Sequence, residues 1–376
     1  MGASVMNGPT PRPLGLLAEL TYACPLHCPY CSNPLEIVGS AAPLTTAEWE
    51  DAIVQAAELG VVQCSFSGGE PLLYRDLDAL IRVGRAEGLY ANLITSGVGL
   101  TLDRAVRLKE AGLDNVQISF QADRADLGDP IAGARGHGAK LAASRCVREA
   151  GLNLSLNVVL HRFNIERIRE IAWLAGELGA TRIELAHVQF YGWAHANMAL
   201  LLPTLDQVRR ADTVMAEIRE AYRGSVEVLY VKSDVYESRP KACMGGWGQR
   251  YLTIDPSGFV LPCPTARSIP DLVFANVREA PLRWIWEESE AFQMFRGYDW
   301  MREPCRSCEF RTVDFGGCRC QAALITGDAA NTDPVCTLSP RRAQLDDLLA
   351  NAAAGSITDA RFRLAPLIYD RPDRAS

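Results

Sequence analysis

Twelve cysteines stand out in this 376-residue chain, because thiolates are strong ligands for soft metals. The first group is Cys24-Pro-Leu-His-Cys28-Pro-Tyr-Cys31, spaced C-x3-C-x2-C. Three thiolates fill neither a tetrahedral zinc site nor a four-iron cluster. A cluster held this way leaves one iron open to a ligand from outside the protein. A zinc site would need a fourth donor, and His27 sits awkwardly between two of the cysteines. The second group lies near the other end: Cys243, Cys263, Cys305, Cys308, Cys318, Cys320 and Cys336. Within it, Cys305-x2-Cys308 taken alone also suits a zinc ribbon. Cys64 and Cys146 stand apart and read as small core residues. His137, His161, His187 and His195 show no metal-ligand spacing; His187, at the end of the sixth strand, reads as structural, with a place facing the site as the alternative.

These cysteines need elements to hold them, and the chain supplies a regular rhythm. Apolar or β-branched runs occur at Leu16–Thr21, Val61–Phe66, Tyr90–Thr95, Asn115–Phe120, Leu152–Leu160 and Arg182–Val188. Amphipathic helical stretches lie between them, at about Asp76–Glu87, Leu102–Ala111, Ala139–Ala150 and Ile165–Leu178. The first helix opens on a capping box from Thr45 to Glu48 and ends near Gly60. A further helix is expected at Leu205–Tyr222. Six β/α units in succession predict a parallel sheet curled into a barrel or partial barrel, with an open doubly wound sheet as the alternative. Polar groups recur where the strands end: Gly68-Gly69-Glu70, Thr95-Ser96, Ser119 and Gln121, and Asn157 on the fifth strand. Barrel active sites are built at that end. Paired glycines let backbone approach a ligand closely, and the acid after them can accept a bond from an amine.

Composition narrows the class. Hydrophobic residues make up 48% and charged residues 22%, which suits a globular core and excludes a disordered chain. The net charge of −7 favours neither nucleic acid nor an anionic membrane surface. No membrane-spanning run or signal segment is evident, so a cytoplasmic setting is expected. There thiols stay reduced, which favours metal ligation over disulfides. After about residue 240 the rhythm stops, and a Gly-, Pro-, Cys- and Trp-rich stretch follows. It has too little periodic apolar sequence to hold itself by packing, so it needs staples. The expected organisation is a flexible N-terminus (1–13), the barrel (14–230), a cysteine-rich domain (231–345), and a C-terminal helix and tail (346–376), docked and then frayed.

The triplet, with an aromatic before its third cysteine and a strand before its first, resembles the radical S-adenosylmethionine (SAM) superfamily. That resemblance implies a partial (β/α)6 TIM-like barrel. It implies that Cys24, Cys28 and Cys31 hold a [4Fe-4S] cluster whose open iron is chelated by SAM. Gly68, Gly69 and Glu70 correspond to the family's GGE motif, which holds the methionyl amine. Thr95, Ser96, Ser119, Gln121 and Asn157 are the other expected SAM contacts.

The second group resembles a SPASM domain, the iron–sulfur extension of many peptide-modifying radical SAM enzymes. In order come Cys243, Gly258-x4-Cys263, Cys305-x2-Cys308-x5-Asp314-x3-Cys318, Cys320 and Cys336. Two departures stand out: Asp314 replaces a cysteine, and Cys320 is extra. The family's connectivity implies two auxiliary clusters, [4Fe-4S] and/or [2Fe-2S]. One would take Cys243, Cys263, Cys318 and Cys320; the other Cys305, Cys308, Asp314 and Cys336. The bland reading of Asp314 is a solvated turn aspartate beside Gly316-Gly317.

These departures, with the wording Tyr22 to Pro34, are similar to the PqqA peptide cyclases of pyrroloquinoline quinone biosynthesis, over about residues 14 to 365. The resemblance implies a C–C bond between a glutamate γ-carbon and a tyrosine ring of the precursor peptide PqqA. The peptide would be delivered by the chaperone PqqD, and electrons by a flavodoxin or ferredoxin-type reductant. Other SPASM enzymes, such as sactisynthases or sulfatase-maturing enzymes, and a plain iron–sulfur electron carrier are the alternatives. No catalytic residue beyond the radical cluster can be chosen from the sequence.

Overall fold

A computed structural model describes residues 10–35, 42–270, 272–352 and 354–363. The expected fraying of the N-terminus and tail falls largely on residues 1–9 and 364–376, outside the described residues. The strand–helix rhythm is built as read. β1 (Gly15–Thr21) is followed by α1 (Thr46–Leu59), β2 (Gln63–Gly68), α2 (Leu77–Ala86), β3 (Tyr90–Thr95), α3 (Leu102–Ala111) and β4 (Asn115–Phe120). Then come α4 (Ala125–Ala132), α5 (His137–Glu149), β5 (Asn153–Leu160), α6 (Ile168–Glu177) and β6 (Arg182–His187). Short helices α7 (Gly192–Ala196) and α8 (Met198–Leu201) precede α9 (Leu205–Ala221) and a seventh strand, β7 (Glu227–Val231), which the sequence reading did not anticipate.

Local chemistry sets the helix ends. Thr45 and Glu48 form the capping box of α1, and Thr204 with Gln207 forms another at α9. α5 has no capping side chain of its own; Asp129 accepts from the Gly136 and His137 N–H groups at 3.0 and 2.9 Å instead.

The strand order is β7-β6-β5-β4-β3-β2-β1-β8-β9. β1 to β7 follow in sequence with no reversal, and all their pairings are parallel. Right-handed crossovers then place every connecting helix on one face. A doubly wound sheet needs a switch point, where strand order reverses; this sheet has none and curls as a partial barrel. Leu16, Ala18 and Leu20 of β1, Ile118 and Phe120 of β4, and Leu154, Leu156 and Val158 of β5 bury their side chains in one core. The alternate positions are polar. Asn92 donates to Ser65, Asn115 to Asn92, and Ser155 to Asn115, a ladder across four strands.

The C-terminal half is tied to the barrel through its first strand. β8 (Tyr251–Ile254) pairs parallel with β1, and β9 (Val260–Leu261) returns antiparallel on β8. α10 (Leu282–Glu288) lies against α1, where the Leu282 N–H donates to Gln55 at 2.7 Å. Arg278 pairs with Glu48, holding that carboxyl down at about 2. The Trp286 indole donates to the Pro11 carbonyl, so residues 10–13 are anchored. Four further helices follow: α11 (Glu290–Gln293), α12 (Arg311–Asp314), α13 (Arg319–Thr326) and α14 (Arg342–Ala350).

Past the end of β5, His161 is fully buried against the rings of Tyr30 and Phe163. Its Nδ1 accepts the Phe163 N–H, and Nε2 has no partner among the described residues. Burial drives its pKa down to about 3, against about 6.5 in an unfolded chain. Between those values the unfolded state binds the extra proton. Stability from this residue is therefore lost as pH falls below about 6.5, by ~1.4 kcal/mol per pH unit. Denaturant melts should show wild type losing about 2 kcal/mol more than His161→Phe between roughly pH 6.5 and pH 5. Parallel losses in the two proteins would contradict this assignment.

Candidate functional site

The cysteine triplet leaves the barrel where β1 ends. The Gly69 N–H donates to the Thr21 carbonyl at 2.5 Å, and the Glu70 N–H to the Ala23 carbonyl at 2.8 Å. A Cβ on Gly68 would lie 2.3 Å from the Thr21 oxygen, and one on Gly69 2.3 Å from the Ala23 oxygen. Gly68 also has φ of +126°, which disfavours a side chain. The glycines therefore permit a close backbone approach, as expected, but to the chain that carries Cys24. They weld the GGE segment to the root of the cysteine loop.

Glu70 is fully buried, and its carboxylate is saturated. Oε1 accepts from the Leu72 N–H and the Thr95 hydroxyl; Oε2 accepts from the Ser96 N–H and hydroxyl. A carboxylate offers about four such sites, so all are in use, and an incoming amine must displace one donor. Burial pushes the Glu70 carboxyl up, and the Ser96 and Thr95 bonds pull it back. Thr95 and Ser96 thus stand beside Glu70 with their hydroxyls turned onto it.

The loop itself is packed in an apolar pocket. Cys24, Leu26 and Ala132 cluster with Cys28, Val98 and Ala134. Burial pushes the Cys24 thiol up to about 12, and raises Cys28 and Cys31 as well. Two buried cations oppose this. Lys140 of α5 is 1% exposed and bonds to the Ser119 carbonyl and the Gln121 side chain. Its burial lowers its pKa to about 8, while Cys28, Cys24 and Glu70 pull it up. The Gln121 amide donates to the Tyr30 hydroxyl at 2.8 Å, and Tyr30 interacts in turn with Cys28. Gln121 and Ser119 therefore reach the cysteines through Tyr30 and Lys140. Asn157 pairs in register between Ser119 and Glu184 and takes no part in that chain. The second cation, Arg363, comes from the C-terminal segment. His27 Nδ1 meets the Arg363 carbonyl at 2.7 Å, which commits one ring nitrogen away from metal ligation.

The second cysteine group separates into two donor sets. Cys243, Cys263, Cys318 and Cys320 are set as a ring, each interacting with two of the others, which pushes Cys243 and Cys320 up and Cys263 and Cys318 down. The Tyr191 hydroxyl lies 3.0 Å from Cys318 Sγ, and Thr265 3.2 Å from Cys263 Sγ. Cys305, Cys308, Asp314 and Cys336 line one pocket with Pro240, Pro304, Gly316, Thr332 and Leu338. Asp314 is buried at 8% exposure, so it is not a solvated turn residue, although it accepts from the Gly316 N–H at 2.9 Å. Asp333 bridges the two sets. It takes the Cys318 N–H at 2.7 Å and the Val335 N–H at 2.9 Å, and its carbonyl takes the Cys336 N–H.

All twelve cysteines are free thiols. No three His, Cys, Asp or Glu among the described residues are set to close on a single ion. Iron–sulfur clusters spread thiolates over several irons, and these three donor sets fit that demand. Cys64 is buried in the barrel core, its thiol pushed up by burial, and Cys146 is half-buried on α5. His187 bonds the Tyr230 hydroxyl at 2.9 Å.

Lys140, Asp333, Tyr191 and Arg363 were missed by the sequence reading. Lys140 left a signal, since it occupies the buried stripe Lys140, Ala143, Ser144, Val147 of α5. The others depend on contacts between distant segments.

Residues 18–175 match the radical SAM superfamily, and residues 243–309 match the SPASM iron-sulfur cluster-binding domain. A PqqA peptide cyclase from Streptomyces rochei is 52% identical over 92% of this chain and 95% of its own. One from Gluconobacter oxydans is 51% identical over 92% and 96%. The chain belongs to the PqqA peptide cyclase family. It is an enzyme of the radical SAM class, which uses SAM and iron–sulfur clusters. The fold is shared with Streptococcus suis SuiB bound to S-adenosylmethionine, at TM-score 0.71 and 20% identity, covering 87% of this chain and 77% of that one. The same holds for anSMEcpe with bound AdoMet, at TM-score 0.62 and 16% identity, covering 90% and 97%. No helix among the described residues is long and apolar enough to cross a membrane.

For this peptide cyclase family member, the weld at Gly69 gives a direct test. Gly69→Ala forces its Cβ onto the Ala23 carbonyl and should displace the cysteine loop. The SAM-responsive electron paramagnetic resonance signal should disappear while iron–sulfur absorbance from the SPASM segment persists. Retention of that signal at wild-type intensity would contradict the role given to Gly69.

Proposed function

We propose that this enzyme joins a glutamate γ-carbon to a tyrosine ring of PqqA, using one radical cluster and two auxiliary clusters. The observation that carries the reading is Asp314: a buried carboxylate lining one pocket with Cys305, Cys308 and Cys336, in a chain about half identical to named PqqA peptide cyclases.

When bound, the [4Fe-4S] cluster and SAM supply one-electron cleavage of a sulfonium and removal of a hydrogen atom, and the auxiliary clusters supply an electron sink. Cys24, Cys28 and Cys31 would hold the radical cluster. Their apolar packing keeps water from the reacting centre. Gly68, Gly69, Glu70, Thr95, Ser96, Ser119, Gln121 and Asn157 would form the SAM side of the site. Glu70 would exchange one of its four donors for the methionyl amine.

Cys243, Cys263, Cys318 and Cys320 would enclose one auxiliary cluster. Cys305, Cys308, Asp314 and Cys336 would hold the other, [4Fe-4S] or [2Fe-2S]. A carboxylate oxygen is a harder ligand than thiolate, and ligand type shifts cluster potential.

A precursor-peptide substrate is supported by the family's name and by the SuiB fold, one structure of which is bound to precursor peptide SuiA. The net charge of −7 does not attract an acidic peptide, which favours delivery by PqqD. A flavodoxin or ferredoxin-type protein is the expected reductant.

Cross-linking removes two hydrogens from the peptide. Mass spectrometry of PqqA after incubation with SAM, reductant and PqqD should show that loss and a Glu–Tyr link. An unchanged peptide under continued SAM cleavage would overturn the reading. Cys28→Ala should abolish SAM cleavage. Asp314→Ala should keep SAM cleavage and lower cross-linking at least about tenfold. Equal loss of both activities in Asp314→Ala would make Asp314 structural.

A further inference from the structure

The radical-cluster cysteines are covered by a segment from the far end of the chain. Arg363 is 4% exposed although only 13 residues follow it in the sequence. Its guanidinium donates to the Tyr22 carbonyl, and its charge acts on the Cys31 thiol, holding that thiol down against burial. Its backbone is clamped to the loop from both sides: its N–H donates to the His27 carbonyl at 3.1 Å, and its carbonyl meets His27 Nδ1. Asn197 fixes the approach. It accepts the Arg361 N–H at 2.7 Å and donates to the Arg361 carbonyl at 2.8 Å and the Pro29 carbonyl at 3.0 Å. Phe362 lies so close to Gly133 that a Cβ there would meet its ring at 2.8 Å.

Buried charge demands a partner. Three thiolates in an apolar pocket bring negative charge that water cannot screen. Arg363 acts on Cys24, Cys28 and Cys31 alike. Lys140 also acts on Cys28 and Cys24, while Glu70 and Glu19 add negative charge. An arginine stays charged at any working pH.

Net charge and hydrogen bonds to sulfur are among the protein's levers on cluster potential. Adding an electron makes a cluster more negative, so a fixed cation beside it favours the reduced form.

We infer that Arg363 is the counter-cation of the radical cluster, a positioning residue whose buried charge raises that cluster's reduction potential and thereby eases its loading with an electron. The inference rests on the assignment of Cys24, Cys28 and Cys31 to that cluster. It also gives the C-terminal segment a role in the radical site.

The test is a redox titration of the anaerobically reconstituted full-length enzyme, following the SAM-responsive electron paramagnetic resonance signal. Arg363→Met removes the charge at similar length; Arg363→Lys keeps it and loses the fork of hydrogen bonds. The expected result is a midpoint in Arg363→Met lowered by a tenfold change in the one-electron equilibrium, about 59 mV, with Arg363→Lys shifted by less than half as much. Failure of the Met variant alone to hold the cluster supports the same conclusion. Met and Lys variants that behave alike, whether unshifted, equally shifted or equally without cluster, would overturn it. A wild-type enzyme with no SAM-responsive signal would instead bring down the cluster assignment beneath it.

Discussion

Two backbone hydrogen bonds, Gly69 to Thr21 and Glu70 to Ala23, fix the point from which the cysteine loop departs. Everything at the radical site is referred to that point. Glu70, once seated, gathers Leu72, Thr95 and Ser96 around its two oxygens and so brings the ends of β2 and β3 together. The loop then packs against Ala132, behind which α5 presents Lys140. Displacing Gly69 would move not one contact but the shared origin of several.

β1 serves both halves of the enzyme. One edge pairs with β2 and its GGE segment; the other pairs with β8, from which the auxiliary-cluster domain is built. The cysteine loop and the SPASM segment are thus both tied to one strand. Tyr191 and Asp333 extend the link, the first from the barrel side to Cys318, the second between Cys318 and Cys336.

Much of this was legible from the sequence, and the reasons are local. Cysteine spacing, capping boxes and strand runs are short-range patterns, and they located the triplet, α1, α9 and six strands of the barrel. The residues at the strand ends were also found, but their partners were not. The hydroxyls of Thr95 and Ser96 turn to Glu70, a contact the sequence does not announce. Sequence marks a polar residue at a strand end and says nothing of its rotamer. β7, short and half-exposed at the edge of the sheet, does carry an apolar run, Val228 to Val231, and the sequence reading passed over it. α4 was not named from the sequence, and it carries Pro130 inside it, a residue that interrupts a helical pattern. Arg363 was invisible for a different reason: its partners lie more than three hundred residues away, and no periodicity spans that gap.

The central claim is that the cysteines divide into three donor sets, the third completed by Asp314. An iron-edge anomalous scattering map from crystals of the anaerobically reconstituted enzyme tests it most directly. The account predicts three separate iron centres: one at Cys24, Cys28 and Cys31, one within the ring of Cys243, Cys263, Cys318 and Cys320, and one bonded by Cys305, Cys308, Cys336 and a carboxylate oxygen of Asp314. A third centre whose irons leave Asp314 unbonded, or no iron at that pocket in fully loaded enzyme, would contradict it.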